Sequence, residues 1–255
     1  MKKTRVGIVG FGKTGKLVVN EFLKEDSFDV CWVMRKGQEE RSKYASRLLG
    51  HEFDAGKIYS FADVTEGFFA EHQVDVIVDF SDSQGLHIYK KAAENGTAIV
   101  SAISHYEQSE LELLQEYARV APVLHSPNIT LGINVLMVAA QILQKILPHA
   151  DIEIVEEHFK EKPEVSGTAR KIAKALELDA KEHINSIRVG GIIGRHEIIF
   201  GMPNQIIRLS HESINRAAFG QGAIFAVKYL LQQVPGTYTM ETIIAEMFRK
   251  NIPVY

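Results

Sequence analysis

The chain has 255 residues, 45% of them apolar and 24% charged, with a net charge of −3 at neutral pH. It is long enough for one large or two modest globular domains, and its near-balanced charge leaves no electrostatic footprint for nucleic acid or an anionic membrane. A single cysteine, Cys31, excludes an internal disulfide and a thiolate metal cluster, so no metal site is expected.

The N-terminus is basic, but Gly7, Gly10 and Gly12 interrupt the apolar stretch behind it. That makes a poor signal-peptide core, and a cytoplasmic protein is expected. Residues 6–9 read as a buried strand, 14–23 as an amphipathic helix and 28–34 as a second strand rich in β-branched and aromatic residues. Strands follow at 74–80, 98–100 and 121–124, with helical stretches through 89–93 and 107–117 between them. Such β–α alternation predicts a parallel sheet covered on both faces.

After Pro127 the pattern changes. The nearly uncharged run at 129–144 is too short and polar to span a membrane and fits a buried helix. Residues 151–155 alternate as a half-buried strand does, and a helix begins at Ala169. Strand-like runs at 187–193, 196–200 and 205–211 are punctuated by glycines, and a helix returns at 217–232. The expected architecture is a Rossmann-type α/β domain made of 1–127 and 217–255. Residues 128–216 are expected to form an inserted, mostly antiparallel α+β domain.

Two segments carry chemistry. Gly10-Phe11-Gly12-Lys13-Thr14-Gly15 matches G-x-G-x-x-G between a strand and a helix. In that setting the glycines permit a tight turn, close approach to a pyrophosphate and close helix–strand packing. At the end of the next strand, where NAD-binding chains place an acid, stand Met34, Arg35 and Lys36, with Glu39 and Glu40 farther along. Two cations there suit either a ribose 2′-phosphate or a solvated charged loop. The second segment runs from His158 through Lys162 to Ser166-Gly167-Thr168. It sets an ionisable pair beside a helix start whose free N–H groups can hold a carboxylate, although taken alone Ser-Gly-Thr reads first as ordinary helix capping.

These segments, with Val78-Asp79-Phe80-Ser81, the run from Ser126 to Asn134, Gly194-Arg195-His196-Glu197 and the stretch from His211 to Ala223, resemble the 4-hydroxy-tetrahydrodipicolinate reductase (dihydrodipicolinate reductase) family over nearly the whole chain. The resemblance implies an NAD(P)H-dependent reductase of a cyclic imine dicarboxylate in lysine and diaminopimelate biosynthesis. NADPH is the expected coenzyme, with NADH possible, and a homotetramer built through the inserted domain is the expected assembly. It implies His158 as proton donor, Lys162 as its assistant at the imine end, and Ser166, Gly167 and Thr168 as the carboxylate-binding turn. Coenzyme contacts are implied for Gly10, Phe11, Gly12, Lys13, Thr14, Gly15, Arg35, Lys36, Phe80, Ser81 and Asn128. The chain departs from the family pattern at Phe159, where a second histidine is usual, and at Ser101-Ala102-Ile103-Ser104, where threonines are usual. Its loop before Ser166 is one residue shorter. A paralogue with another substrate and a non-catalytic dinucleotide sensor are the alternatives, and the joint presence of His158, Lys162 and Ser-Gly-Thr favours an enzyme.

Overall fold

Runs of β-branched and apolar residues in the first half form β1 (Thr4–Val9), β2 (Phe28–Arg35), β3 (Lys57–Ser60), β4 (Val76–Asp79), β5 (Ala98–Ser101) and β6 (Pro122–His125). Farther on come β7 (Asp151–His158), β8 (Ile184–Arg188), β9 (Arg195–Met202), β10 (Gln205–Glu212) and β11 (Gly236–Tyr238). The computed structural model describes residues 2–253. Among them no helix is long and apolar enough to cross a membrane, and no group of three or more His, Cys, Asp or Glu is placed to hold a metal ion.

These elements divide into two units. One comprises the described residues of Met1–Thr130 with Phe219–Met240, the other those of Leu131–Ala218 with Glu241–Tyr255. The expected boundaries therefore need correction at the C-terminus. The segment from Glu241 groups with the second unit, where Glu241 pairs with Lys171, and not with the dinucleotide-type unit.

The first unit is a seven-stranded sheet in the order β11-β6-β5-β4-β1-β2-β3, and every pairing in it is parallel. Strand order reverses between β1 and β4, and the crevice beyond the carboxyl ends of strands at such a switch point is where α/β sheets bind ligands. β4 and β5 are buried along their whole length, as strands covered on both faces must be. The short edge strands β3 and β11 escaped the sequence reading, because three or four residues of mixed character show no periodicity.

The second unit is a four-stranded sheet, β10-β9-β7-β8, in which β7 runs parallel to β8 and antiparallel to β9. Its core is formed by Ile152, Ile154, Ile198 and Phe200 from the sheet. The helices Leu131–Ile146 and Gly167–Ala175 contribute Ile133, Met137 and Ile172. The expected strand at 187–193 begins earlier and is shorter. It stops at Arg188, and the chain turns through Gly190, whose φ is +55°.

Strand alternation then decides the chemistry of this unit. Along β7 the side chains of Ile152, Ile154, Glu156 and His158 fall on one buried face, while Asp151, Glu153, Val155 and Glu157 turn outward. The first two continue the apolar core and the last two end it with ionisable groups. Cross-strand register places Ser186 beside Glu156 on one side and His196 on the other, with Arg188 beside His158.

Candidate active site

In the first unit the turn after β1 has the form that the glycine spacing predicted. Gly10 lies at φ +104°, and a Cβ there would stand 2.7 Å from the Phe80 backbone, while a Cβ on Gly15 would collide with the Gly10 carbonyl oxygen. A Cβ on Gly12 would meet nothing within 4 Å, so the middle glycine faces open space. No side chain caps the helix Lys13–Lys24, which starts at Gly12. Its first N–H groups and its dipole therefore favour an anion such as a pyrophosphate. Close approach on two sides, an open middle glycine and an uncapped helix together fit a dinucleotide. Phe11 is buried with Lys16 over its ring, and Lys13 is exposed.

Beside this turn lies a cavity of about 410 Å³ lined in part by Thr14, Phe80, Ser81, Ala102, Ile103 and Ile129. Asp79, at the end of β4, holds the lining residue Ser81 from behind. The carboxylate accepts hydrogen bonds from the Ser81 N–H at 2.9 Å, the Ser81 hydroxyl at 2.6 Å and the Tyr89 hydroxyl at 2.9 Å. Burial outweighs these bonds and pushes the Asp79 carboxyl up to about 6. Asn128 follows β6, where its carbonyl accepts from the Ser126 hydroxyl at 3.1 Å.

Arg35 departs from expectation. The sequence sets Glu39 and Glu40 at a distance, but the chain turns after β2, with Glu40 at φ +63°, and both acids come back to Arg35. Arg35 Nη1 donates to Glu40 at 2.6 Å, and Nη2 lies 3.1 Å from Glu39. Lys16 reaches the other Glu40 oxygen at 3.4 Å, and Lys36 Nζ lies 4.0 Å from Asp82. The reading of two cations with no carboxylate nearby is thereby corrected, since a local turn that periodicity does not register supplies two.

In the second unit His158, Lys162 and Ser166-Gly167-Thr168 gather at the end of β7. His158 is 7% exposed and its Nδ1 is hydrogen-bonded to Glu156, which is fully buried. Glu156, to which motif reading gave no role, stands at the centre of this cluster. Its carboxylate also accepts from both Arg188 Nη groups at 3.0 and 2.6 Å, from the Ser186 hydroxyl at 2.6 Å and from the Ser166 N–H at 3.3 Å. Burial raises its pKa, but these donors overcome that and hold the carboxyl down to about 2. Burial lowers the His158 pKa. Glu156 opposes that lowering by hydrogen bond and charge, and the cations Lys162 and Arg188 reinforce it.

Lys162 sits in a turn closed by its N–H on the Phe159 carbonyl at 3.1 Å, and its own carbonyl accepts from Arg188 Nε at 3.1 Å. Among the described residues no carboxylate pairs with its ammonium group. Ser166 caps the helix Gly167–Ala175 by accepting from the Thr168 N–H at 3.2 Å, and its hydroxyl lies 3.0 Å from His196 Nε2. Of the predicted turn, Ser166 is thus already engaged by protein at both N–H and hydroxyl, while Gly167 is exposed and Thr168 half-exposed. The assembled groups can grip a carboxylate at a helix start and deliver a proton from an imidazole beside it.

Comparison with known proteins gives one family. Residues 4–129 match the model described as "Dihydrodipicolinate reductase, N-terminus", and residues 132–244 match the corresponding C-terminus. The 4-hydroxy-tetrahydrodipicolinate reductase of Caldanaerobacter subterraneus is 34% identical over 206 residues, which cover 72% of this chain and 81% of that protein. The protein of the same name from Bdellovibrio bacteriovorus is 30% identical over 251 residues, covering 96% of this chain and 97% of its own. A solved structure of dipicolinate-bound dihydrodipicolinate reductase from Paenisporosarcina sp. TG-14 shares the fold. Its TM-score is 0.80 at 21% identity, over 95% of this chain and all of that one.

The neutral, buried His196 makes the second unit acid-sensitive. Burial first, and then the charge of His158, lower its pKa to about 4 from an ordinary value near 6.5. A depressed folded-state pKa contributes stability that is complete above about 6.5 and is lost as pH falls toward 4. Thermal unfolding of His196→Gln should accordingly lose less Tm between pH 7 and pH 4.5 than the wild-type protein does. Equal losses in the two proteins would refute this assignment.

Proposed function

Because the chain belongs to the dihydrodipicolinate reductase family, we propose that it reduces 4-hydroxy-tetrahydrodipicolinate to tetrahydrodipicolinate with NAD(P)H, in the cytoplasmic synthesis of diaminopimelate and lysine. The observation that carries this reading is the gathering of His158, Lys162 and the Gly167–Thr168 helix start at one end of β7. The dipicolinate of the Paenisporosarcina structure is a ring dicarboxylate, the class of ligand that such a helix start and an unpaired lysine would hold.

The nicotinamide coenzyme, when bound, supplies hydride. Gly10, Phe11, Gly12, Lys13, Thr14 and Gly15 would hold its pyrophosphate, and Phe80, Ser81 and Asn128 belong to the same proposed site. The 4-hydroxyl leaves as water, giving a conjugated imine, and hydride addition to that system leaves electron density on the neighbouring position. His158 in its imidazolium form delivers the proton there. Lys162 offsets negative charge at the imine end, while the Gly167 N–H and the Thr168 hydroxyl donate hydrogen bonds to a substrate carboxylate in place of water. Ser166 acts by holding the turn. The apolar Ala102 and Ile103 in the cavity lining, and Phe159 after the catalytic histidine, support a second reading in which a related cyclic imine is the substrate.

NADPH is the proposed coenzyme of choice. Glu39 is 72% exposed on its side chain, and an exposed ion pair is worth roughly 0–1 kcal/mol, so a ribose 2′-phosphate can displace it from Arg35 at little cost. The resulting charge-assisted bonds are worth roughly 1.5–3 kcal/mol. The outward face of the second sheet carries the chain of ion pairs Glu157–Arg195–Glu197–Arg208, and Ile206 at its edge is 60% exposed. A homotetramer built through this sheet would cover that edge.

Three measurements test these proposals. His158→Ala should lower kcat by roughly 10²–10⁴-fold with the coenzyme Kd unchanged, and an unaltered kcat would remove the histidine from the mechanism. Arg35→Ala should weaken NADPH binding by about 10- to 100-fold and NADH binding far less. Equal wild-type affinities for the two coenzymes would contradict the role of Arg35. Light scattering at micromolar concentration should report a tetramer, and a monomer would count against the proposed interface.

A further inference from the structure

We propose that Glu156 is a positioning residue for proton transfer. Its buried carboxylate fixes hydrogen on His158 Nδ1, leaves Nε2 as the nitrogen that exchanges the proton with substrate, and through Arg188 holds the Lys162–Ser166 segment in the same frame. The inference rests on the reading of His158 as the acid and adds to it the device that orients the ring.

Three observations carry it. The first is placement. Glu156 and His158 are two residues apart on one face of β7, so the carboxylate and the imidazole are neighbours by strand geometry. The second is the division of labour between the two carboxylate oxygens. Oε1 takes Arg188 Nη2, the Ser186 hydroxyl and the Ser166 N–H, and Oε2 takes Arg188 Nη1 and His158 Nδ1. A carboxylate clamped by donors from β8 and from the helix start cannot rotate, and so it dictates the ring's orientation. The third is the space at the other nitrogen. A Cβ at Gly194 would lie 2.9 Å from His158 Nε2, and glycine there keeps that edge of the ring clear of a side chain.

Arg188 extends the frame, because its Nε and Nη2 donate to the carbonyls of Lys162 at 3.1 Å and Glu164 at 2.9 Å. An ion pair serving only the fold would need neither the histidine bond nor these two. A neutral imidazole with hydrogen on Nδ1 is a donor to Glu156 and keeps its Nε2 lone pair; as imidazolium it gives the Nε2 proton away and keeps the Glu156 bond. The charged and titratable groups that face His158 are Glu156 on its own strand, Arg188 on β8, Lys162 in the following loop and His196 on β9. Only Glu156 favours the protonated ring.

The tautomer can be read in the wild-type protein by ¹⁵N NMR of the histidine side chains. Neutral His158 should carry its hydrogen on Nδ1, and a neutral ring with hydrogen on Nε2 overturns the proposal without any variant. In kinetics, Glu156→Gln should lower kcat by roughly 10- to 100-fold, as loss of a partner that orients a histidine does elsewhere. The basic limb of its kcat/KM profile should move to lower pH, and Glu156→Asp should restore that limb in part. A folded Glu156→Gln whose pH limb stays at the wild-type position overturns the proposal while leaving His158 as the acid. A His158→Ala enzyme with full turnover removes the acid reading instead, and the tautomer result still decides whether Glu156 orients the ring.

Discussion

A carboxylate shut away from water keeps its charge only where donors replace the solvent it has lost. In the second unit that carboxylate is Glu156, and the donors it requires come from β8, from the histidine at the end of its own strand and from the start of the helix Gly167–Ala175. The requirement is stringent, since a buried anion missing one donor is far costlier than an exposed one. It explains why Ser186 and Arg188 occupy β8 and why the loop from Lys162 to Ser166 turns its carbonyls toward the guanidinium. His158, the Lys162 loop and the turn at Ser166 inherit their positions from this one charge.

The first unit answers a different constraint, in which backbone must approach a bound anion more closely than side chains allow. Gly10 and Gly15 satisfy it by contact, one against Phe80 and the other against the Gly10 carbonyl, and Gly12 by leaving open space. Asp79 complements them by fixing Ser81 in the cavity lining. Arg35, at the end of β2, is shared between Glu39 and Glu40. That arrangement neutralises the guanidinium with two local carboxylates.

Both folding units and most of the gathered residues were legible in the chain, for a physical reason. Parallel-sheet strands are buried on both faces and read as apolar runs, and the glycine loop is a backbone requirement that only one residue type meets. His158, Lys162 and Ser-Gly-Thr were visible as a local spacing. Glu156 was not, because a glutamate two residues before a histidine says nothing until the strand's inward face is known. The alternation read over 151–155 reaches Glu156 when carried two residues past Ile154, and His158 when carried four. Asp79 was seen only as part of a run, and the return of Glu40 upon Arg35 comes with a turn that includes a left-handed residue. The edge strands β3 and β11 and the grouping of the final helix are set by tertiary partners, which local pattern does not encode.

The first unit is also discontinuous in the chain, and this bears on how the protein is made. β6 finishes at His125, but its neighbour β11 begins only at Gly236, about a hundred residues later. At ribosomal rates of roughly 5–20 residues per second, β6 spends on the order of 5–20 s as an unfinished edge while the second unit is being synthesised. An open parallel edge is an invitation to pair with another nascent chain. Pro122, the first residue of β6 and the partner of Gly236, has no N–H to offer there. A proline at that position shortens the sticky edge during the wait and costs the finished sheet little.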